Sequence, residues 1–356
     1  MSKKYNVLIL GASYGSLLAT KLAMAGHNVR LVCLPAEAEI INAEGTRVRF
    51  PVRGREGLIE VDSRKLPGKI SAATPAEVNP ADYDLVGLAM QEPQYRAPGV
   101  RELLAAVAKA KVPAMSIMNM PPLPYLRRLP RLASADLAHC FTDASVWADF
   151  DPANVTLCSP DPQAFRPPEE KPNVLQVTLP TNFKVARLPS DEVTAMLRDM
   201  QAGIEAVRFE VNGEQIELPV KLKVHDSVFV PLAKWAMLLT GNYRCVQPDA
   251  ARSIQEAVHS DIAKSEQIYK WVCDVCIALG ADPADMVPFE KYANAAKSLA
   301  KPSSAARALF AGAPNIERVD RLVQTAARQV GMSNPDVDEI VALVDDRLAL
   351  NRKAAA

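Results

Sequence analysis

Lys234 is the only charged residue between Asp226 and Arg244, in the run Phe229-Val-Pro-Leu-Ala-Lys234-Trp-Ala-Met-Leu-Leu-Thr240. The run reads as a helix, with Pro231 accepted in its first turn. Apolar residues occupy every face around the lysine, so the helix is expected to be buried. Burying an ammonium is costly unless it is paired or its pKa falls, and a lysine with a lowered pKa can deliver or accept a proton near neutral pH. Asn242, at i+8, lies on roughly the same face, where its amide could hold a substrate hydroxyl or carboxylate. A lysine that snorkels to the surface past Trp235 accounts equally well for the pattern.

A second set of residues lies near the N-terminus, in Leu8-Ile-Leu-Gly11-Ala-Ser13-Tyr14-Gly15-Ser16. It falls between an apolar strand-like run and a helical one. Glycine there allows a tight turn, and the helix that follows presents free N–H groups to a pyrophosphate. The spacing is one residue tighter than G-x-G-x-x-G, with Ser13 in place of one glycine. A plain strand-to-helix turn is the alternative reading. The end of the second strand normally shows the cofactor, with an acid for a ribose 2′-hydroxyl and a base for a 2′-phosphate. Here the chain reads Cys33-Leu34-Pro35-Ala36-Glu37. Neither sign stands at the strand end, so this position leaves NAD and NADP open.

Other reactive residues carry less. The six cysteines are sparse, and most sit in apolar runs, as buried free thiols do. Cys273-Asp-Val-Cys276 is a lone C-x-x-C within a helical pattern and reads as two helix-face cysteines. The four histidines are scattered, so no metal is expected. His225-Asp226 is the only adjacent His-Asp pair in the chain.

These groups need elements to position them. Over the first ~120 residues strands alternate with helices, at Tyr5–Leu10, Gly15–Ala25, Asn28–Cys33, Pro35–Ala43, Asp84–Leu88, Gly99–Lys111 and Ala114–Met118, which predicts a mostly parallel sheet covered on both faces. Short strand-like pieces lie between Thr46 and Ala72. Prolines are dense from Pro121 to Pro189, and Ser159–Asn173 reads as an exposed loop between strand-like runs at Val155–Cys158 and Val174–Leu179. A helix is expected at Asp191–Ala206. Phe209–Ile216 reads as a hairpin turning on Asn212-Gly213. Beyond it the pattern is nearly all helical, with one long face from Pro248 to Leu279 stopped by Gly280, then helices at Pro283–Lys297, Ser303–Ala311, Ile316–Val330 and Asp336–Leu350. Two domains follow, a Rossmann-like one over 1–215 and a helical one over 216–356.

Charge and hydropathy narrow the classes of function. Lys+Arg and Asp+Glu both number 41, giving no net charge, which argues against a nucleic-acid partner. No run approaches 18 apolar residues, so no membrane span is expected. The first apolar run is too short for a signal-peptide core, and the expected location is cytoplasmic.

Taken together, the dinucleotide turn, the glycine-closed first helix running into Gly26-His27-Asn28-Val29, and the lone lysine opening a helical second domain resemble the ketopantoate reductase (2-dehydropantoate 2-reductase) family. The resemblance implies an α/β fold with a Rossmann-like sheet domain and an all-helical C-terminal domain, of the 6-phosphogluconate-dehydrogenase-like kind. It implies NADP, with NAD as the alternative, held by Gly11, Ser13, Tyr14, Gly15, Ser16, Gln91 and Asn119. It implies Lys234 as catalytic general acid and Asn119, Asn242 and Ser303 as substrate-binding residues. A small-molecule substrate and a homodimer go with it.

Several family positions depart. In the family's Lys-x-x-x-Asn-x-x-x-Asn pattern the middle asparagine is Leu238. The Asn-Gly after a central strand keeps Asn119 and loses the glycine. The serine maps to Ser303 or Ser304. The acidic partner falls near Asn315, unless Glu317 takes its place. The NADP-selecting arginine falls near Leu34, and the cofactor-side lysine near Gln91. The segment around 150–190 makes the chain longer than is usual for the family. The implied reaction is NAD(P)H-dependent reduction of a small 2-oxo acid or related carbonyl, in a cleft between the domains, with a substrate other than ketopantoate in view. The alternatives are an opine-type dehydrogenase using His225-Asp226 and a non-catalytic dinucleotide-binding protein.

Overall fold

The computed structural model describes residues 3–355. The chain divides into two compact units. The first comprises Met1–Met90, Gln94–Pro124 and Val146–Asp226; the second comprises Gln91–Pro93, Tyr125–Ser145 and Ser227–Ala356. The last passage from one to the other falls at 226/227, because the strand Leu222–His225 is still part of the first unit's sheet.

The first unit opens with strand β1 (Asn6–Leu10), helix α1 (Ala12–Met24), strand β2 (Asn28–Val32) and helix α2 (Pro35–Glu44). Four of the five β1 residues are buried, as a strand covered on both faces requires. Pro35 starts α2 at its first position, where its missing N–H costs nothing, and Gly45 ends it at φ 74°. Strands β3 (Arg47–Pro51), β4 (Leu58–Asp62), β5 (Ile70–Ala73) and β6 (Leu85–Leu88) follow, then helix α3 (Val100–Ala110), strand β7 (Ala114–Ile117) and the single turn α4 (Leu123–Leu126). The remaining strands are β8 (Val155–Ser159), β9 (Gln163–Phe165), β10 (Val174–Leu179), β11 (Phe183–Ala186), β12 (Phe209–Val211), β13 (Glu214–Ile216) and β14 (Leu222–His225), with helix α5 (Asp191–Ala206) before β12.

Eight strands form one sheet in the order β14-β11-β8-β7-β6-β1-β2-β5. From β8 to β5 all neighbours are parallel. β11 pairs antiparallel with β8, and β14 runs parallel to β11, so this edge points the other way. A second sheet, β4-β3-β10-β9, joins the strand-like pieces after α2 to the segment after β8. The stretch expected as a loop at Ser159–Asn173 therefore contains a strand, β9. Three residues between prolines carry no alternation, and β9 exists because it pairs with β10. The expected hairpin is present: β12 pairs antiparallel with β13, and Asn212 and Gly213 both take positive φ, at 53° and 84°.

Lys21 is a buried exception on α1. Its ammonium donates to the carbonyls of Leu218 and Pro219, at 3.2 and 3.0 Å, and lies 5.6 Å from the centre of the Phe50 ring. Burial lowers its pKa from 10.5 to about 8.

The second unit contains helices α6 (Lys234–Met237), α7 (Ile254–His259), α8 (Ile262–Leu279), α9 (Phe289–Ala296), α10 (Ser304–Phe310), α11 (Val319–Gln329) and α12 (Pro335–Ala355). The single face expected from Pro248 to Leu279 is broken between α7 and α8. Asp261 begins a new helix there, accepting from the Lys264 N–H at 2.9 Å, while Ser253 and Glu256 form a capping box on α7. A partly buried charge network ties α11 to α12. Arg318 donates to Asp320 at 2.8 Å and to Asp345 at 2.5 Å, and Arg321 also holds Asp345. No helix among the described residues is long and apolar enough to cross a membrane.

Candidate dinucleotide turn and lysine helix

In the first unit the chain builds outward from β1 through β2 to β5, then returns to β6 on the other side of β1. The carboxyl ends of β1 and β6 are thus the point where winding reverses, and open α/β sheets bind ligands in the crevice at such a point. Gly11 stands there at φ 104°. A Cβ on it would meet the Ala89 carbonyl oxygen, just past β6, at 2.8 Å. Only glycine allows both the angle and this approach. A Cβ on Gly15 would meet Ile9 of β1 at 2.7 Å, so Gly15 lets α1 lie close on the sheet. No side chain caps the start of α1. Its first N–H groups are therefore open to an anion, which is what a diphosphate needs.

The other residues of this turn divide by direction. Ser13 is exposed, and its carbonyl accepts from the Ser16 hydroxyl at 2.8 Å. Tyr14 turns its ring inward, packing edge-on against Phe183 and donating to the Pro162 carbonyl at 2.6 Å. Burial pushes its phenol well above the usual tyrosine range. Any contact of Tyr14 with a ligand would therefore be through its backbone.

Asn119, just past the carboxyl end of β7, is half-buried, and its Oδ1 is a buried acceptor with no partner among the described residues. An orphaned amide oxygen beside a winding reversal fits a ligand N–H donor, such as a carboxamide. The open helix start, the glycine approach and this acceptor together fit a nicotinamide dinucleotide.

The second strand end holds a pair that the sequence did not announce. Glu37, in the first turn of α2, is ion-paired with Arg166 from the segment after β9. Gln91 is exposed and belongs to the second unit.

In the second unit, the lysine run is one continuous helical stretch that changes type. Val230–Ala233 is 3₁₀, α6 is α-helical, Leu238–Asn242 is a π-turn, and Tyr243–Cys245 is 3₁₀ again. Lys234 is half-buried between buried Ala233 and Trp235. In a regular α-helix Asn242 would stand roughly 80° past Lys234. The wider π-turn offsets that excess, which would turn Asn242 back toward the lysine face.

A π-turn spoils the i→i−4 ladder, and side chains repair it. Tyr292 donates to the Met237 carbonyl at 3.0 Å, Arg244 to Thr240 at 3.3 Å, Cys245 to Gly241 at 3.3 Å and Ser303 to Asn242 at 2.7 Å. Ser303 also accepts from the Ala306 N–H as the cap of α10. Its hydroxyl thus anchors the Asn242 backbone, while the Asn242 side-chain amide makes no hydrogen bond among the described residues. Leu238 is buried in the π-turn.

At the two positions near which the family's acidic partner falls, the Asn315 amide oxygen accepts from Arg352 at 3.2 Å, whereas Glu317 is buried. The Glu317 carboxylate accepts from the Glu92 N–H at 3.3 Å, and its backbone carbonyl accepts from the Tyr243 hydroxyl at 2.5 Å. Glu92 is itself buried, accepting from the Thr142 N–H and hydroxyl at 3.0 and 2.8 Å. Sequence reading passed over Glu92, although it adjoins Gln91.

His225 ends β14, an edge strand that runs opposite to β1, so it lies at the opposite end of the strands from Gly11. Asp226 is taken by Arg198 at 2.6 Å. An open groove of about 960 Å³, lined by Arg47, Glu60, Arg64, Phe209 and Gln215 among others, contains none of the site residues. No group of three His, Cys, Asp or Glu among the described residues could hold a metal.

No protein-family profile and no curated protein matches the chain. Solved structures do match over nearly its whole length. D-mandelate dehydrogenase, in a ternary complex with NADH and anilino(oxo)acetate, is similar with a TM-score of 0.63 at 15% identity, covering 98% of this chain and 99% of that one. The 2-dehydropantoate 2-reductase from Methylococcus capsulatus is similar with a TM-score of 0.66 at 15% identity, covering 97% of each. The PanE/ApbA family ketopantoate reductase from Ralstonia eutropha JMP134 is similar with a TM-score of 0.63 at 15% identity, covering 98% and 99%. With its winding reversal at Gly11 and its helical second unit, this chain has the fold shared by ketopantoate reductases and D-mandelate dehydrogenase.

Proposed function

We propose that the chain is an NAD(P)H-dependent reductase of a small 2-oxo acid. The observation that carries this reading is the Gly11 turn, pressed against Ala89 where winding reverses, with an uncapped helix behind it. The α1 N–H groups would hold the diphosphate, and Asn119 Oδ1 would accept from the carboxamide. When bound, the reduced nicotinamide supplies a hydride equivalent to the carbonyl carbon. Lys234, as the ammonium, donates a proton to the carbonyl oxygen and offsets the charge developing there. The unused amide of Asn242, on the same helical face, orients the substrate. With Leu238 where a second asparagine stands in ketopantoate reductases, the pocket loses a polar contact, which favours a 2-oxo acid with an apolar substituent. D-Mandelate dehydrogenase, in a ternary complex with NADH and anilino(oxo)acetate, is a neighbour consistent with this substrate class.

The test is a nicotinamide-fluorescence titration followed by turnover on a 2-oxo acid panel that includes ketopantoate and phenylglyoxylate. Lys234→Ala should lower kcat by roughly 10²–10⁴-fold while dinucleotide affinity holds within about twofold. Equal losses in both, or no loss, would remove Lys234 from the reaction. Dinucleotide binding without turnover of any carbonyl would leave a non-catalytic binding protein.

A further inference from the structure

This inference rests on the dinucleotide reading above and concerns which dinucleotide the chain takes. The adenosine ribose of a nucleotide on a Rossmann sheet lies beyond the end of the second strand, where a base is needed for a 2′-phosphate. β2 is followed by Cys33, Leu34 and Pro35, none of them charged.

Charge reaches this place from a distant part of the chain. Arg166, immediately after β9, pairs with Glu37 in the first turn of α2. Both groups act on the Cys33 thiol: burial is the main force raising its pKa to about 12, Glu37 adds to the rise and Arg166 opposes it. The pair therefore lies beside the residue that follows β2. β9 is also tethered at its other end, where Pro162 accepts from Tyr14 of α1. Its three residues thus run from the glycine-turn helix to the second strand end, the course of an ADP moiety.

Two side chains on this course are large, apolar and exposed: Leu34 at 74% and Phe165 at 39%. They adjoin the ion pair in the chain, and exposed apolar groups of this kind suit the faces of a purine. Glu37 is the more enclosed partner, with its side chain 15% exposed against 28% for Arg166, so an incoming group meets the guanidinium first. Glu37 is also its only hydrogen-bond partner among the described residues, which leaves most of the five N–H donors for a dianion.

We propose that Arg166, delivered by the β9 segment, reads the 2′-phosphate of NADPH, with Glu37 as the counter-ion it holds in the absence of the nucleotide and Leu34 and Phe165 bordering the adenine.

The experiment is a fluorescence titration of NADPH and NADH against the full chain and its Arg166→Gln and Glu37→Gln variants. Wild type is expected to bind NADPH more tightly. Arg166→Gln should weaken NADPH roughly tenfold or more while moving NADH by less than about twofold, and Glu37→Gln should not weaken NADPH. A wild-type competition keeps the test independent of variant folding: adenosine 2′,5′-bisphosphate should displace NADPH at roughly a tenth of the concentration needed for 5′-AMP. Equal weakening of both dinucleotides in Arg166→Gln, a wild-type preference for NADH, or AMP competing as well as the bisphosphate would overturn the assignment while the dinucleotide reading stands. A wild type that binds neither dinucleotide would overturn both.

Discussion

The Tyr292 hydroxyl sits where a side chain on Gly241 would have to go. A Cβ there would come within 1.9 Å of the phenol oxygen, which donates at 3.0 Å to the Met237 carbonyl. Glycine in the π-turn is thus what admits the tyrosine that repairs it. Gly241→Ala should expel Tyr292, costing about 2–4 kcal/mol from overpacking and the lost hydrogen bond. Urea unfolding measures this cost. Because Asn242 depends on the same turn for its place on the lysine face, kcat/KM should fall by more than dinucleotide affinity does. Full retention of stability would show that the turn relaxes freely.

Lys21 gives the fold a measurable dependence on alkaline pH. Its pKa of about 8 in the folded chain lies below the ordinary 10.5. Between those values the unfolded chain binds the extra proton, so this group's contribution to stability rises with pH. The difference in unfolding free energy between wild type and Lys21→Met should therefore shift in favour of wild type by ~3 kcal/mol from pH 8 to pH 10.5. Using the difference cancels the cysteines and tyrosines that titrate in the same range. A flat difference would mean that the buried amine keeps its proton.

Arg318 stands between two carboxylates, one of them, Asp320, fully buried. Burial pushes the Asp320 carboxyl up, and the guanidinium beside it opposes the rise. Arg318→Met leaves that carboxylate without a counter-charge and should destabilise the chain by about 3–5 kcal/mol. Arg318→Met combined with Asp320→Leu should recover much of the loss, which a thermal melt of the single and double variants would show.

Cys33 is half-buried, yet its thiol is raised to about 12 from the ordinary 9.0. Thiolate is the reactive form, so at pH 8 its alkylation should run roughly a thousandfold slower than that of an unperturbed thiol. Mass-resolved labelling with iodoacetamide checks this. Glu37→Gln removes one of the groups raising the pKa and should speed the reaction.

What could be read ahead of the structure was local. The Gly11–Gly15 turn, β1, β2 and the Asn212-Gly213 hairpin each declare themselves within a few residues, through glycine angles and short apolar runs. The break between α7 and α8 was also written locally, in Ser253, Glu256 and Asp261, but the apolar face on either side masked it. The rest depended on distance. β9 is a strand only because of β10, and β14 only because of β11. Glu37 and Arg166 are 129 residues apart, and nothing at either position names the other. The π-turn under Asn242 has no signature of its own; it is held by Tyr292, Arg244, Cys245 and Ser303, all of which lie on other elements or beyond the turn.

The helical unit takes in two short segments from within the first unit's stretch of chain, Gln91–Pro93 and Tyr125–Ser145. The backbone consequently passes from one unit to the other after residues 90, 93, 124, 145 and 226. Cutting the gene at any single point cannot yield two intact halves. A fragment starting at Ser227 would lack Glu92, whose N–H serves Glu317, and Thr142, which serves Glu92. Transplanting the helical part onto another sheet would mean grafting three pieces at once, so no single crossover can exchange either part intact.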